Sequence, residues 1–277
     1  MHIMNAMTTR RFYRPLTLVM QLGNYFNGAT VSMLCLVLVI LSAQATASEA
    51  DFPMIPFGEK VSADGSGITS AWYSCATDRY RHGVLGDAIE GGCLVAVNDE
   101  GELLSLELSK QFVFEDNLPR LADIDNDGNN DIVTVRADTS KGAALVVYSE
   151  QDGELKELAA TPPIGTAHRW LAPAGIADFN NDGINDIAYV QTPHIGGQLR
   201  IWSLIDNQFT EIAGMPGFSN HAIGATRVSI SKVDDFNDDG VADLAIPARN
   251  GRETILVTLH PEPAELERRP FKLDFFD

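Results

Sequence analysis

The chain has 277 residues, 45% of them hydrophobic, and carries 20 Lys and Arg against 38 Asp and Glu for a net charge of −18. Such acidity argues against nucleic acid and anionic membrane surfaces as partners, because both would repel the folded chain. Beyond a short leader, about 230 residues remain, enough for one domain with a substantial core.

In chain order, the amino terminus reads as targeting. Arg10, Arg11 and Arg14 precede an apolar run, Val31–Leu41, and Ala45-Thr-Ala47 supplies a small-residue cleavage site before Ser48. The run, about eleven residues, is too short to span a bilayer as a helix. Residues 1–47 are therefore read as a signal peptide or an N-terminal membrane anchor, and residues 48–277 as an exported, periplasmic or extracellular, repeat domain. The polar stretch Gln21–Asn27 lengthens the basic region and makes Met20 an alternative start. Arg10-Arg11 weakly resembles a twin-arginine signal, and no lipobox precedes Cys35.

Cys75 and Cys93 are the cysteines left after such a cleavage. An even count in an exported chain favours a disulfide, contributing about 3 kcal/mol when unstrained; the alternative is two free thiols packed as small hydrophobes. Cys93–Asn98 and Leu103–Leu108 read as a hairpin around Asp99-Glu-Gly101, inside a unit running from Arg79 to Leu108. The loop assigned to that unit, Gly86–Gly92, lacks metal-ligand spacing.

Downstream, one nine-residue pattern occurs three times: Asp123–Asp131, Asp178–Asp186 and Asp235–Asp243. The first copy places Asp123, Asp125, Asp127 and Asp131 at positions 1, 3, 5 and 9; the others place Asp178, Asn180, Asp182, Asp186 and Asp235, Asn237, Asp239, Asp243 there. Gly128, Gly183 and Gly240 hold position 6, while Asn129, Ile184 and Val241 at position 7 offer a carbonyl. Oxygen ligands alternating around a Gly bend describe a loop wrapped on a hard cation, most naturally Ca²⁺, up to three ions in all. The EF-hand alternative needs Glu at position 12, where Thr134, Tyr189 and Ile246 stand. The bland alternative is an Asn/Asp/Gly turn that binds nothing.

β-rich runs flank each loop. Ile132–Arg136, Ala143–Tyr148 and Leu155–Ala159 follow the first, and Ile187–Val190, Leu199–Leu204 and Phe209–Ala213 follow the second. With the strand entering each loop, that makes four strands per unit. The three loops and their flanks, roughly Leu118 to Leu259, resemble the FG-GAP or VCBS repeats of the integrin-α-like propeller family. The resemblance implies an all-β chain: a small β-propeller of four four-stranded blades, or five if Phe52–Phe57 pairs with Phe271–Phe276, with Ca²⁺ bound between the first and second strands of a blade. The alternative is an open array completed by a second copy of the chain. Asn180 and Asn237 in place of the acid reduce the carboxylates offered by the second and third loops.

Propeller topology then sends Arg79–His82, Asp138–Lys141, Pro163–Arg169, Gln191–Gln198, Gly217–Arg227 and Arg249–Arg252 to the face opposite the loops. Arg79, Arg81, His82, His168, Arg169, His194, His221 and Arg227 become candidate ligand-binding residues on an anion-recognising surface. The competing reading is that they satisfy carbonyls and acids of neighbouring blades. No catalytic motif is present. The expected function is a non-catalytic binding or adhesion module for a protein, a polysaccharide or an anionic surface ligand, with membrane contact only if the leader is retained. The alternative is a secreted polysaccharide lyase or phosphoester hydrolase using the His/Arg groups of that face. Convergence of imidazoles and an Arg in one pocket would favour the enzyme, and a spread over a flat face the binder.

Overall fold

The computed structural model describes residues 47–277 and, by backbone alone, a two-residue strand β1 (Thr8–Thr9). The rest of the expected leader lies outside the described residues. Among the described residues no helix is long and apolar enough to cross a membrane. Regular structure is β throughout, apart from single 3-10 turns at Glu49–Asp51 and Leu273–Phe276.

The strands form four antiparallel meanders in sequence order, the first two joined into one 10-stranded sheet by a short parallel pairing of Ser66–Gly67 with Asn129–Asn130. The first holds β2 (Val61–Ser62), β3 (Ser66–Ser74), β4 (Cys93–Asn98) and β5 (Leu103–Glu107), with β1 added outside β5. The second holds β6 (Phe112–Phe114) and β7 (Arg120–Ala122), which both pair with β8 (Asn129–Asp138), then β9 (Gly142–Gln151) and β10 (Glu154–Ala160). The third is β11 (Leu171–Ala177), β12 (Asp186–Gln191), β13 (Gln198–Ile205) and β14 (Gln208–Pro216). The fourth is β15 (Lys232–Asp234), β16 (Asp243–Pro247), β17 (Glu253–Thr258) and β18 (Ala264–Pro270). Every strand read from the sequence after the first two loops falls inside one of these.

Burial explains the sequence pattern. Inner strands are buried on both faces, as in the unbroken run Ala143–Ser149, so their sequence is nearly all apolar. The outermost strand of the fourth meander, β18, is charged instead, with Glu265, Glu267, Arg268 and Arg269 keeping its open edge from pairing with another chain. Apolar layers lie between successive meanders: Tyr73 and Phe114 stack at 5.0 Å between the first and second, Val135, Leu145 and Ile187 pack between the second and third, and Leu199, Leu244 and Ile255 between the third and fourth. Burying each such side chain contributes about 1.5–3 kcal/mol. Gly175 is required by one of these layers, because a Cβ there would lie 2.5 Å from Val233 Cγ2.

Two expectations are corrected. Gly86–Gly92 belongs to the long connection between β3 and β4, which the Cys75–Cys93 disulfide closes; the connection between the first two strands of that meander is Ala63–Gly65. The unit begins upstream of Arg79, at β2 and β3, which no loop motif marks. Phe52–Phe57 and Phe271–Phe276 do not pair with each other. The first covers its own meander, with Trp72 Nε1 donating to Phe52 O (2.9 Å) and Ser74 Oγ to Pro53 O (2.7 Å). The second folds into the terminal 3-10 turn and covers Ala245 and Leu256 with Phe276.

Candidate functional site

The three acidic loops each join the first and second strands of a meander, the connection that up-and-down strands leave on one side; Asn185 Nδ2 of the second loop donates to Asp123 O of the first (2.8 Å), and Asn130 Nδ2 of the first to Asp64 O in the corresponding turn of the first meander (3.1 Å). They therefore share one end of the sheets. Their internal bonding is the same in each copy. Asp123 accepts from the backbone N of Asp127 (3.1 Å) and Gly128 (2.9 Å), Asp178 from Asp182 (3.1 Å) and Gly183 (2.8 Å), and Asp235 from Asp239 (3.2 Å) and Gly240 (2.9 Å). The last acid of each loop accepts from the residue after the first: Ile124, Phe179 and Phe236 at 3.0, 3.2 and 3.0 Å. Gly128, Gly183 and Gly240 have φ of 91, 87 and 85° with open space around them, so it is the backbone conformation that selects glycine there.

Among the described residues, the acids of the first loop are gathered as a hard cation requires, while those of the second and third loops do not form so close a group. Ligand atoms of Asp123, Asp125 and Asp131 lie within 4.8 Å of one another, the spacing that oxygens about 2.3–2.6 Å from one Ca²⁺ would adopt. Burial pushes the Asp131 and Asp186 carboxyls up to about 6, and raises Asp125 with help from Asp127, a crowding that a cation would relieve. Asp186 Oδ1 and Asp243 Oδ1 are buried without a hydrogen bond of regular geometry. In the second and third loops Asn180 and Asn237 donate to Asp182 and Asp239, each at 3.0 Å.

At the other end, segments distant in sequence meet. The first strand of the second meander is interrupted at Glu115–Pro119, which turns Glu115 and Asp116 inward; that of the fourth is preceded by a long excursion after the Phe218–Ala248 bridge. This excursion reaches back to the first meander, where Gly224 N donates to Val84 O (2.9 Å), and to Asn117, whose Nδ2 donates to Thr226 O (2.9 Å). A cavity of about 190 Å³ opens there, lined by His82, Gly83, Val84, His168, Arg169, Trp170, Thr192, His194, Ile195 and Ile223.

The imidazoles around this cavity are held in defined tautomers. His221 Nε2 faces the Ala225 carbonyl (3.1 Å) and so carries the proton; its Nδ1 then accepts from His194 Nε2 (2.9 Å), which leaves His194 Nδ1 as an acceptor. His168 Nε2 likewise donates to Tyr80 O (3.0 Å). His82 Nδ1 is hydrogen-bonded to Glu115 Oε1. Burial, with help from Asp116, holds the Glu115 carboxyl well above the usual carboxylate range, while burial and Arg169 hold His82 below the usual imidazole value. Burial lowers His194 and drives His221 down to about 4, and raises Glu90 to about 8 with help from Glu115 and Asp87. Trp170 stacks at 12° on His194, meets His221 edge-on at 4.7 Å, and donates Nε1 to Glu115 O (2.8 Å).

Of the eight candidate binding residues, the structure brings His82, His168, Arg169 and His194 to one cavity, with His221 directly behind His194. The other three are elsewhere engaged. Arg79 donates Nε to Phe112 O (2.9 Å), Arg81 pairs with Asp78, and Arg227 binds Asp277 (3.0 Å) and Phe276 O (3.3 Å) at the carboxyl terminus. Tyr80 and Thr192, inside the Arg79–His82 and Gln191–Gln198 segments that topology sends to this face, complete the site together with Glu115, which sequence did not single out. For Glu115 a signal existed: an acid pair directly after the apolar run Phe112–Phe114.

Residues 123–189, spanning the first two loops and the strands between them, match the FG-GAP-like repeat, so the chain carries such a repeat. No curated protein matches the sequence. Among solved structures it is similar to an exotype rhamnogalacturonan lyase, YesX, with a TM-score of 0.42 and 15% identity over 72% of this chain and 42% of that one. A second is the rhamnogalacturonan lyase YesW, with a TM-score of 0.41 and 14% identity over 75% and 49%. The chain spans less than half the length of either lyase.

Proposed function

We propose that the chain is an exported, calcium-stabilised repeat module, four propeller blades of four strands each, that binds a hydroxyl-rich polysaccharide at its imidazole-lined end without transforming it. The observation that carries this reading is the rim of the cavity: Ile195 and Ile223, 59% and 74% exposed, flank a floor of imidazoles and one guanidinium. Apolar side chains exposed beside convergent polar groups mark a surface meant to be covered. His194 Nδ1 offers an acceptor to sugar hydroxyls, Arg169 supplies donors, and the isoleucines meet the apolar C–H faces of a ring. A cavity this small holds about one sugar unit, which suits a grip on part of a long chain rather than enclosure of a substrate. Ca²⁺, held by Asp123, Asp125, Asp127 and Asp131 and their counterparts, would neutralise the acidic end and keep its turns closed.

The second reading is a polysaccharide lyase or phosphoester hydrolase. The convergence of His82, His168, His194 and Arg169 favours it, with His168 Nδ1 as base and Arg169 as the charge stabiliser. Affinity electrophoresis against neutral and acidic polysaccharides tests the proposal. The native chain should be retarded by at least one of them, while His168→Ala combined with Arg169→Ala should run freely with its melting temperature lowered only by the loss of the His168–Tyr80 contact, which His168→Ala alone measures. Free migration of the native chain in every gel, or equal retardation of the variant, would refute it; new reducing ends or unsaturated products would move the assignment to the enzyme.

A further inference from the structure

A second cavity, of about 380 Å³, lies beside Phe112 in the second meander, and its lining includes Gln111, Arg136, Asp138, Lys141 and Thr161. It opens at the imidazole end, since Lys141 sits in the β8–β9 turn and its carbonyl accepts from Gly165 N (2.7 Å), three residues before His168. Arg136 is 8% exposed and lies over the Phe112 ring at 4.8 Å. One of its nitrogens, Nη1, is anchored, donating to Tyr148 Oη (2.9 Å) and Glu157 Oε2 (2.6 Å). Nε and Nη2 have no hydrogen-bond partner among the described residues, and neither has the Lys141 ammonium.

We infer that this cavity is a carboxylate-binding subsite, in which the free edge of the Arg136 guanidinium and the Lys141 ammonium grip an organic acid about the size of one hexuronate. The two remaining nitrogens open into the cavity rather than onto protein, and the planar edge they form matches the two oxygens of a carboxylate. Anchoring Nη1 fixes the plane of that edge before any ligand arrives. The two acids nearby do not compete for it. Glu157 is spent on Nη1, and Asp138 accepts from Gln111 Nε2 (2.8 Å), Ser140 N (2.8 Å), Ser140 Oγ (2.6 Å) and Lys141 N (3.2 Å). The walls suit a ring, with Ala144, Ala160 and Pro163 on the apolar side, while the Thr161 hydroxyl is engaged with the Leu145 backbone. Because both cavities open at the same end, a polymer bearing carboxylates could engage the two together, but the subsite stands without the imidazole cavity.

Glucuronate and glucose, titrated into the intact chain by calorimetry, test it. The native chain should bind glucuronate and not glucose. Lys141→Ala, an exposed change that spares the fold, should weaken glucuronate about fivefold. Arg136→Lys, which keeps the charge but loses the planar edge, should weaken it tenfold or more, as expected for lost charge-assisted hydrogen bonds. Arg169→Ala should bind as the native chain does. Equal binding of glucose, or native affinity in both Lys141→Ala and Arg136→Lys, would overturn the inference. So would loss of glucuronate in Arg169→Ala alone, which would place the carboxylate in the imidazole cavity and leave the proposed function intact.

Discussion

At the acidic end, each loop is complete within nine consecutive residues, and its hydrogen bonds are repeated with nearly the same lengths in all three copies. At the imidazole end, no segment is sufficient: Tyr80 and His82 come from the disulfide-closed β3–β4 connection, Glu115 from a broken strand, Trp170 from the approach to β11, His194 from a tight turn and His221 from the excursion that returns to the first meander. The first end is charged, exposed and locally encoded. The second is nearly neutral, half-buried and assembled by the fold. A loop of the first kind closes on its own residues and meets its neighbour through a single side-chain bond, such as Asn185 Nδ2 to Asp123 O, whereas the second depends on several packing layers at once.

The largest effect should come from cation removal, which acts on the acidic end alone. Any ligand that binds only the folded state at a hundredfold excess over its Kd adds about 2.7 kcal/mol per site. Thermal melts of the chain in millimolar Ca²⁺ and in chelator should therefore differ widely. Asp182→Ala should remove about a third of that difference, because the second loop closes on its own residues. Identical melts with and without Ca²⁺ would reduce the loops to ordinary Asx turns, and a single loop variant that abolished the whole gain would show the loops to be coupled rather than independent.

The same contrast decides what could be read in the sequence. The loops, the strands after them and the four-strand unit were legible because their determinants are adjacent residues: oxygen at alternate positions, Gly where φ must be positive, apolar runs for strands buried on both faces. Topology then placed His82, His168, Arg169, His194 and His221 at the opposite end, since up-and-down strands alternate their connections. Nothing in sequence could separate Arg169 from Arg79 and Arg227. All three lie in connections, and only the packed structure shows that Arg79 satisfies the Phe112 carbonyl and Arg227 the carboxyl terminus. Glu115 was missed because its role depends on an interrupted strand, and the gap between β6 and β7 cannot be told from a loop when only Pro119 marks it.

A smaller effect should separate the two ends by pH. Burial lowers His221 to about 4 from an ordinary 6.5, so the unfolded chain binds a proton at this site that the folded chain refuses. The stability this group contributes is fully present above pH 6.5 and is lost as the pH falls from there towards 4, a loss of about 2–3 kcal/mol. Glu90 and Glu115, raised by burial, oppose it, and His194 adds to it. The difference between the native chain and His221→Asn isolates the histidine. In saturating Ca²⁺ the variant should be the less stable at neutral pH and should lose less on acidification. A constant gap between the two chains across that range would mean that His221 is solvated and that the excursion is not packed over it.

The smallest effect concerns Arg227, which belongs to the opposite end by topology but to neither site by contact. Its guanidinium donates to Ser229 O (3.1 Å), Phe276 O (3.3 Å) and Asp277 Oδ1 (3.0 Å), tying the terminal 3-10 turn over Ala245 and Leu256. The side chain is 44% exposed, so solvent screens the ion pair and the whole arrangement is worth about 0.5–1 kcal/mol. Arg227→Ala should lower the melting temperature slightly and leave polysaccharide retention untouched, while Arg169→Ala does the reverse. Position in the topology is shared by the two arginines, and only the direction of the guanidinium differs. Retention lost in Arg227→Ala with little change in the melt would therefore mean that the binding surface extends past the imidazole cavity along the excursion to the end of the chain, and that the terminal contacts seen here give way when ligand arrives.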